Sequence, residues 1–181
     1  VRNRNTGETL YENTLRADVC RRVFEICRTY GLSYYIFTKD CLVGDDRKND
    51  RLRIHQKFNQ TVEKDEMIPI LFTDQLETFV EDHPVCKIVA SHEKTKYLHL
   101  TAEIIKREIA VDATRSGRHV LGIKAEGVSK EAAMEKLADS LRIRLDEIVA
   151  FGDEVNDIGL LRQAGLGTAM QHADDIVKQS A

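Results

Sequence analysis

The stretch Ile148-Val149-Ala150-Phe151-Gly152-Asp153-Glu154-Val155-Asn156-Asp157 constrains the fold more than any other part of the chain. An apolar run of strand length, continuous enough to be buried on both faces, stops at a glycine, and acids follow at once. The pattern around it alternates strictly. Residues 129–141 read as a helix, 147–151 as a strand, 156–164 as a helix, 166–170 as a strand, and 173 to the end as a helix. Short buried strands alternating with helices of about ten residues predict right-handed βαβ units on a parallel sheet. Such sheets bind ligands beyond the carboxyl ends of their strands, which is where Asp153 falls.

Asp157 follows Asp153 by one helical turn, so both carboxylates can point into one small volume. Two acids placed together call for a cation. Mg²⁺ suits the position, because it takes hard oxygen ligands, one or two of them carboxylates, and completes its shell with water and phosphate. Gly152 would let the backbone approach that ligand closely. The same acids also suit a plain helix start, where each negative charge is favoured by roughly 0.3–1 kcal/mol. Glu154 fits that simpler role, and Asn156 fits a cap. Lys130 shifts the balance. It follows Ser129, the natural N-cap of the 129–141 helix, and a lysine there opposes the helix dipole. A positive charge beside backbone N–H groups is useful where an anion must be held.

The first part of the chain has a different character. Val19, Val23, Ile26, Cys27 and Tyr30 recur at helical spacing and predict an amphipathic helix over 17–30, closed by Gly31. Residues 32–38, 85–91, 108–113 and 119–124 read as strands, and 74–80 and 93–107 as helices; the charged run 45–57 reads as a helix with loops. Organisation therefore changes near Thr114, from an α+β region to a parallel α/β region. With 27 basic against 30 acidic residues, the net charge of −3 gives no electrostatic reason for a nucleic-acid or anionic-membrane partner. No apolar run is long enough to span a membrane, and Val1 to Asn5 does not lead into a signal sequence. Cys20, Cys27, Cys41 and Cys86 form no Cys-x-x-Cys pair, and Cys20 and Cys27 share a helix face as small apolar residues. A reducing, cytoplasmic setting is the expectation. The histidines at 55, 83, 92, 99, 119 and 172 show no metal-ligand spacing and read as surface or core residues.

Gly127-Val128-Ser129-Lys130, Gly152-Asp153-Glu154-Val155-Asn156-Asp157 and Ala164-Gly165-Leu166-Gly167-Thr168-Ala169-Met170 together resemble the haloacid dehalogenase-like superfamily, in its Cof-type branch of cap-bearing phosphatases. Thr6-Gly7-Glu8-Thr9-Leu10-Tyr11 resembles the hairpin that precedes the family's large α/β cap. The resemblance implies an α/β fold: a partial Rossmann-like parallel core plus an α+β cap. The expected division is a core-edge hairpin over 1–14, a cap over 15–114, and the C-terminal part of the core over 115–181. It implies a Mg²⁺-dependent phosphatase of small phosphorylated metabolites such as sugar phosphates or nucleotides. Asp153 and Asp157 would be metal ligands, the second directly or through water. Lys130 would steady nucleophile and phosphate, and Asn156 would support the turn and the substrate site. The cap of such proteins selects the leaving group, which makes Tyr34, Tyr35, Lys39 and Arg47 candidates for that role.

The family's nucleophile lies in an Asp-x-Asp-Gly-Thr segment, and this sequence contains no Asp-x-Asp. The expectation is a chain that starts after that element and is inactive alone, with the 148–151 strand left as an open edge prone to self-association. The alternative is a non-catalytic module that binds metal and phosphate, or a partner.

Overall fold

A computed structural model describes residues 1, 3, 6–44, 50–64 and 66–181. The chain divides into two compact units, residues 13–126 and residues 1–12 with 127–181.

The 13–126 unit is built from α1 (Ala17–Thr29), β1 (Ser33–Phe37), β2 (Leu42–Gly44), α2 (Asp50–Asn59), β3 (Ile70–Phe72), α3 (Leu76–Asp82), β4 (Lys87–Ser91), α4 (Thr95–Glu108), β5 (Val111–Arg115) and β6 (Val120–Ala125). The strands form one six-stranded sheet in the order β3-β2-β1-β4-β6-β5. All neighbours are antiparallel except β2 and β3. The two-residue period of β1 sorts its side chains. Tyr34 and Ile36 join the main core with Phe24, Leu98, Ile105, Leu121 and Ile123, while Tyr35 packs with Leu42, Leu52 and Val89 in a second cluster. The helix periodicity read for 17–30 holds: α1 buries Cys20, Val23, Phe24, Ile26 and Cys27. Gly31, at φ 68°, supplies the left-handed residue that ends the helix. Burial pushes the Cys20 and Cys27 thiols up to about 12, so both act as small apolar residues.

Two expectations change here. The boundary drawn at residue 114 falls inside a sheet. β6 is hydrogen-bonded to β4 on one side and β5 on the other, so residues 115–126 belong with the strands before them, and the division lies at Gly127. β2 and β3 were not expected from the sequence, since each has three residues and too little alternation to read.

The other unit contains α5 (Lys130–Leu141), β7 (Val149–Gly152), a 3₁₀ turn (Val155–Asp157), α6 (Ile158–Gln163), β8 (Leu166–Ala169) and α7 (Asp175–Lys178). β7 and β8 pair in parallel from Val149–Leu166 to Gly152–Ala169, with α6 as the crossover, as the alternation predicted. Ala150, Leu161, Ala173 and Val177 form the core. The β7 run is not buried on both faces. Ala150 and Gly152 point inward, whereas Val149 and Phe151 remain 54% and 63% exposed on the opposite face. Near the start of the chain, Asn3 N donates to Glu8 O at 2.8 Å and Leu10 N to Val1 O at 3.0 Å, which sets residues 3 and 1 against residues 8 and 10. No helix among the described residues is long and apolar enough to cross a membrane.

Candidate active site

β7 ends at Gly152, and the turn beyond it is organised by Asp157. The backbone N–H groups of Asp153 and Glu154 both donate to Asp157 Oδ2, each at 3.1 Å. Lys130 Nζ donates to Oδ1. Three donors thus occupy a carboxylate that can accept about four hydrogen bonds. Asp157 is buried, and burial alone would raise its pKa. Hydrogen bonds from Lys130 and from the N–H groups of Glu154 and Asp153 outweigh that and hold it below the usual carboxylate value. Glu154 and Asp157 also form a reciprocal capping box around the 3₁₀ turn, which bears out the reading of Glu154 as helix-start chemistry.

Gly152 is required by this same carboxylate. A Cβ placed on it would sit 2.5 Å from the Cβ of Asp157, so the close approach expected of a ligand is made by the chain's own side chain. Lys130 is the first residue of α5, and the Ser129 hydroxyl caps that helix by accepting from Ala132 N at 3.2 Å. Its charge is unfavourable for the helix dipole but is compensated by Asp157. Half of its side chain stays exposed, so the ammonium can meet a second anion.

Asp153 has a different environment. Its carboxylate is about half exposed, and its Oδ2 lies 3.1 Å from His172 Nε2. Asn156 lies exposed on the 3₁₀ turn. The structure therefore brings Lys130 and Asp157 into direct contact, ties the Asp153 backbone to the same carboxylate, and pairs the Asp153 side chain with a histidine.

The donor chemistry fits a divalent ion at one residue. Asp153 offers an accessible hard oxygen of the kind Mg²⁺ uses when it keeps several waters. Asp157 has most of its acceptor positions filled and an ammonium against it, so its chemistry suits contact through water. No group of three or more His, Cys, Asp or Glu side chains among the described residues is arranged to hold a metal.

Sequence reasoning missed His172, which it set aside among six isolated histidines. The signal was positional: His172 lies just past the carboxyl end of β8, and Asp153 just past that of β7. Parallel neighbours open their ends on the same edge. It also missed an open polar pocket of about 570 Å³ in the 13–126 unit, lined by Ser33, Arg51, Ser91, His92, Glu93 and His119 among others. Apart from the consecutive Ser91-His92-Glu93, these residues come from separate parts of the chain, and no local spacing announces them. Of the tyrosines singled out, Tyr34 stacks on Phe24 at 4.9 Å within the core, and the Tyr35 hydroxyl lies 3.2 Å from His55 Nε2. Lys39 is exposed after β1, and Arg47 lies outside the described residues.

All 181 residues, 1–181, match the haloacid dehalogenase-like hydrolase family. The chain belongs to that family. Among curated relatives, it is 31% identical over 102 residues to the 5-amino-6-(5-phospho-D-ribitylamino)uracil phosphatase YcsE of Bacillus subtilis, covering 56% of this chain and 41% of that one. It is 31% identical over 105 residues to the pyridoxal phosphate phosphatase YbhA of Escherichia coli, covering 58% of this chain and 39% of that one. The matches thus span less than half the length of these relatives. A crystal structure of a haloacid dehalogenase-like hydrolase from Bacteroides thetaiotaomicron superposes with a TM-score of 0.81 at 23% identity, over 98% of this chain and 64% of its own. A subclass IIB sugar phosphatase of the superfamily superposes at 0.74 and 19%, over 96% and 62%. Both likenesses establish the shared α/β fold.

Proposed function

We propose that this chain is part of a Mg²⁺-dependent phosphomonoester hydrolase of small phosphorylated metabolites. The observation that carries the reading is the Lys130–Asp157–Asp153 arrangement at the carboxyl end of a parallel strand, within a chain that matches a hydrolase family throughout. Phosphoryl transfer asks a protein mainly for positioning and for neutralisation of phosphate oxygens. Lys130 supplies one positive charge, half exposed and held in place by Asp157. Asp153 is the direct metal ligand in this proposal, and Asp157 the one that acts through water while fixing the turn. Asn156, exposed on that turn, supports the substrate site in this proposal. The ion, when bound, adds charge against the phosphoryl oxygens. The relatives that carry phosphatase names support small phosphorylated substrates as the class.

Without an Asp-x-Asp segment, the chain alone should hold metal and phosphate without turning over. ³¹P line broadening of inorganic phosphate should depend on Mg²⁺ and should weaken in Lys130→Ala and Asp153→Ala. No Mg²⁺-dependent broadening would overturn the site. Hydrolysis of p-nitrophenyl phosphate should stay at background with or without Mg²⁺. Mg²⁺-dependent turnover abolished by Asp153→Ala would overturn the inactive-alone part and leave the phosphatase reading stronger.

The second reading, a non-catalytic or partner-binding module, is favoured by one feature: the exposed Val149, Phe151 and Leu166 on one face of the β7–β8 pair. Self-association through this face and the open edge of β7 is part of the proposal. Sedimentation velocity over a concentration series tests it; a concentration-independent monomer would remove it.

A further inference from the structure

The open pocket of about 570 Å³ in the 13–126 unit carries chemistry that the Lys130–Asp153–Asp157 arrangement does not use. Ser33, Arg51, Ser91, His92, Glu93 and His119 line it. Ser33 and Ser91 are direct partners in the β1–β4 register, so their side chains share one face of the sheet. Tyr35 and Val89, two residues along each strand, pack with Leu52 of α2, which places both serines on the α2 side. Arg51, beside Leu52, brings a guanidinium to the same pocket. Backbone groups fix the two imidazoles. Lys94 N donates to His92 Nδ1 at 2.8 Å, so the neutral ring carries its proton on Nε2, as a donor. His119 Nδ1 donates to the His92 carbonyl oxygen at 3.3 Å. The acid of the set, Glu93, is exposed, where its charge is screened.

We propose that this pocket binds the phosphate group of a small molecule. A metal is the poorer fit: no group of three or more His, Cys, Asp or Glu among the described residues is arranged to hold one, and His92 Nδ1 is already engaged. The polar groups of the lining are mostly donors. A guanidinium fork presents two N–H groups to one anion, the serines two hydroxyls and His92 one N–H, about five donors in all. A carboxylate has about four acceptor positions, so the set suits the larger shell of a tetrahedral oxyanion. Arg51 supplies positive charge in the planar form that matches phosphate oxygens. Small-molecule pockets run to about 300–1,000 Å³, so 570 Å³ leaves room for the body that carries the phosphate. None of these residues belongs to the proposed metal and phosphate site, so the inference stands or falls apart from it.

The test titrates inorganic phosphate, glycerol 3-phosphate and acetate into the full chain, with EDTA present and ionic strength constant, followed by NMR of the histidine rings. Both phosphates should shift the His92 and His119 signals saturably and leave His83 and His99, outside the pocket lining, unmoved. Acetate should bind more weakly. Arg51→Gln should weaken phosphate at least about 10-fold, the scale of losing a charged hydrogen-bonding partner. Ser33→Ala, at an exposed position, should weaken it about 2- to 10-fold. Glu93→Gln should tighten it, and Lys130→Ala should leave the His92 response unchanged; circular dichroism verifies that each variant folds. No saturable His92 shift, or equal affinity for acetate and phosphate, would overturn the proposal. So would a response lost in Lys130→Ala and kept in Arg51→Gln, which would assign the phosphate to Lys130 and leave the reading of that site intact. Weaker binding in Glu93→Gln would show that the acid serves the ligand, against an anion pocket. Binding of inorganic phosphate without glycerol 3-phosphate would overturn the small-molecule ligand.

Discussion

In the 13–126 unit, Ile36, Ile88, Leu121 and Ile123 from neighbouring strands are fully buried, with helices closing over them. In the other unit, the corresponding apolar positions of the parallel pair do not close. Val149, Phe151 and Leu166 are each more than half exposed, and the core gathers around Ala150, Leu161, Ala173 and Val177. The unit with the complete core carries an open polar pocket. The unit with the incomplete core carries the lysine, the two aspartates and the strand-end geometry. The contrast separates two sources of order. The first unit is held by buried apolar area, which is non-directional and large. The second is held at its functional turn by a few directional hydrogen bonds around one carboxylate.

The largest effect should come from cutting the complete core. Ile36→Ala should cost about 2–5 kcal/mol, the usual range for a buried Ile or Leu reduced to Ala. Urea denaturation followed by tyrosine fluorescence reads this in the 13–126 unit, whose β1 carries Tyr34 and Tyr35. Leu161→Ala, the same kind of change in the other unit, should leave that transition where it was. Equal shifts of one shared transition would break the comparison, because they would make the two units a single cooperative body.

Next in size is the carboxylate that organises the turn. Asp157→Ala leaves the Asp153 and Glu154 N–H groups without their acceptor, worth about 1–3 kcal/mol where such groups stay buried. Hydrogen exchange should then accelerate at the β7 and β8 amides and remain unchanged at β1, β4 and β6. Gly152→Ala should act in the same direction, since its methyl group would occupy the space of the Asp157 Cβ. Acceleration in both units would argue against a local role for the turn.

Much of this architecture was legible beforehand. The βαβ alternation, the Ser129 cap, the Gly31 helix stop and the burial of Cys20 and Cys27 follow from periodicity and end chemistry, which are local properties. β2 and β3 were not legible, because a strand of three residues is defined by its neighbours and carries no periodicity of its own. The place of β6 followed from hydrogen bonds to β4, whose residues lie about thirty positions earlier in sequence. At the site, spacing put Asp153 and Asp157 on one turn correctly. It could not tell a carboxylate that faces a ligand from one consumed by its own backbone, and Asp157 is largely the second. The Asp153–His172 contact joins the ends of two strands, so only the parallel register reveals it.

The same carboxylate sets an acid dependence. Asp157 titrates below its ordinary value of 3.8, so its ionised form is favoured by folding. The stabilisation is fully present above the unfolded value and is lost as pH falls through the folded one. The exchange difference between the unmodified chain and Asp157→Ala should therefore be constant from neutral pH down to about pH 5 and shrink below about pH 4, where the unfolded carboxylate takes up its proton. In the 13–126 unit, Glu77 is also held below its usual value, with burial opposing and Arg28 prevailing. That pair is exposed, and exposed pairs contribute little. The acid sensitivity should accordingly appear in the β7–β8 amides first. A difference that persists unchanged through pH 3 would show that the ionised carboxylate is not what holds the turn.

The smallest effect on stability should accompany the clearest effect on association. Phe151 is 63% exposed on the open face of β7, so replacing it removes little buried area. Phe151→Lys should change stability by no more than about 0.5 kcal/mol, as for surface substitutions generally. The lysine places charge on a strand with an unpaired edge, the device by which natural sheets resist pairing with another chain. Sedimentation velocity should then show less self-association than the unmodified chain at the same concentration. A control at Leu100→Lys, an exposed apolar residue of α4 in the 13–126 unit, should leave association unchanged. If Phe151→Lys instead destabilised the chain as strongly as Ile36→Ala, Phe151 would belong to a buried core, and the asymmetry between the units would disappear.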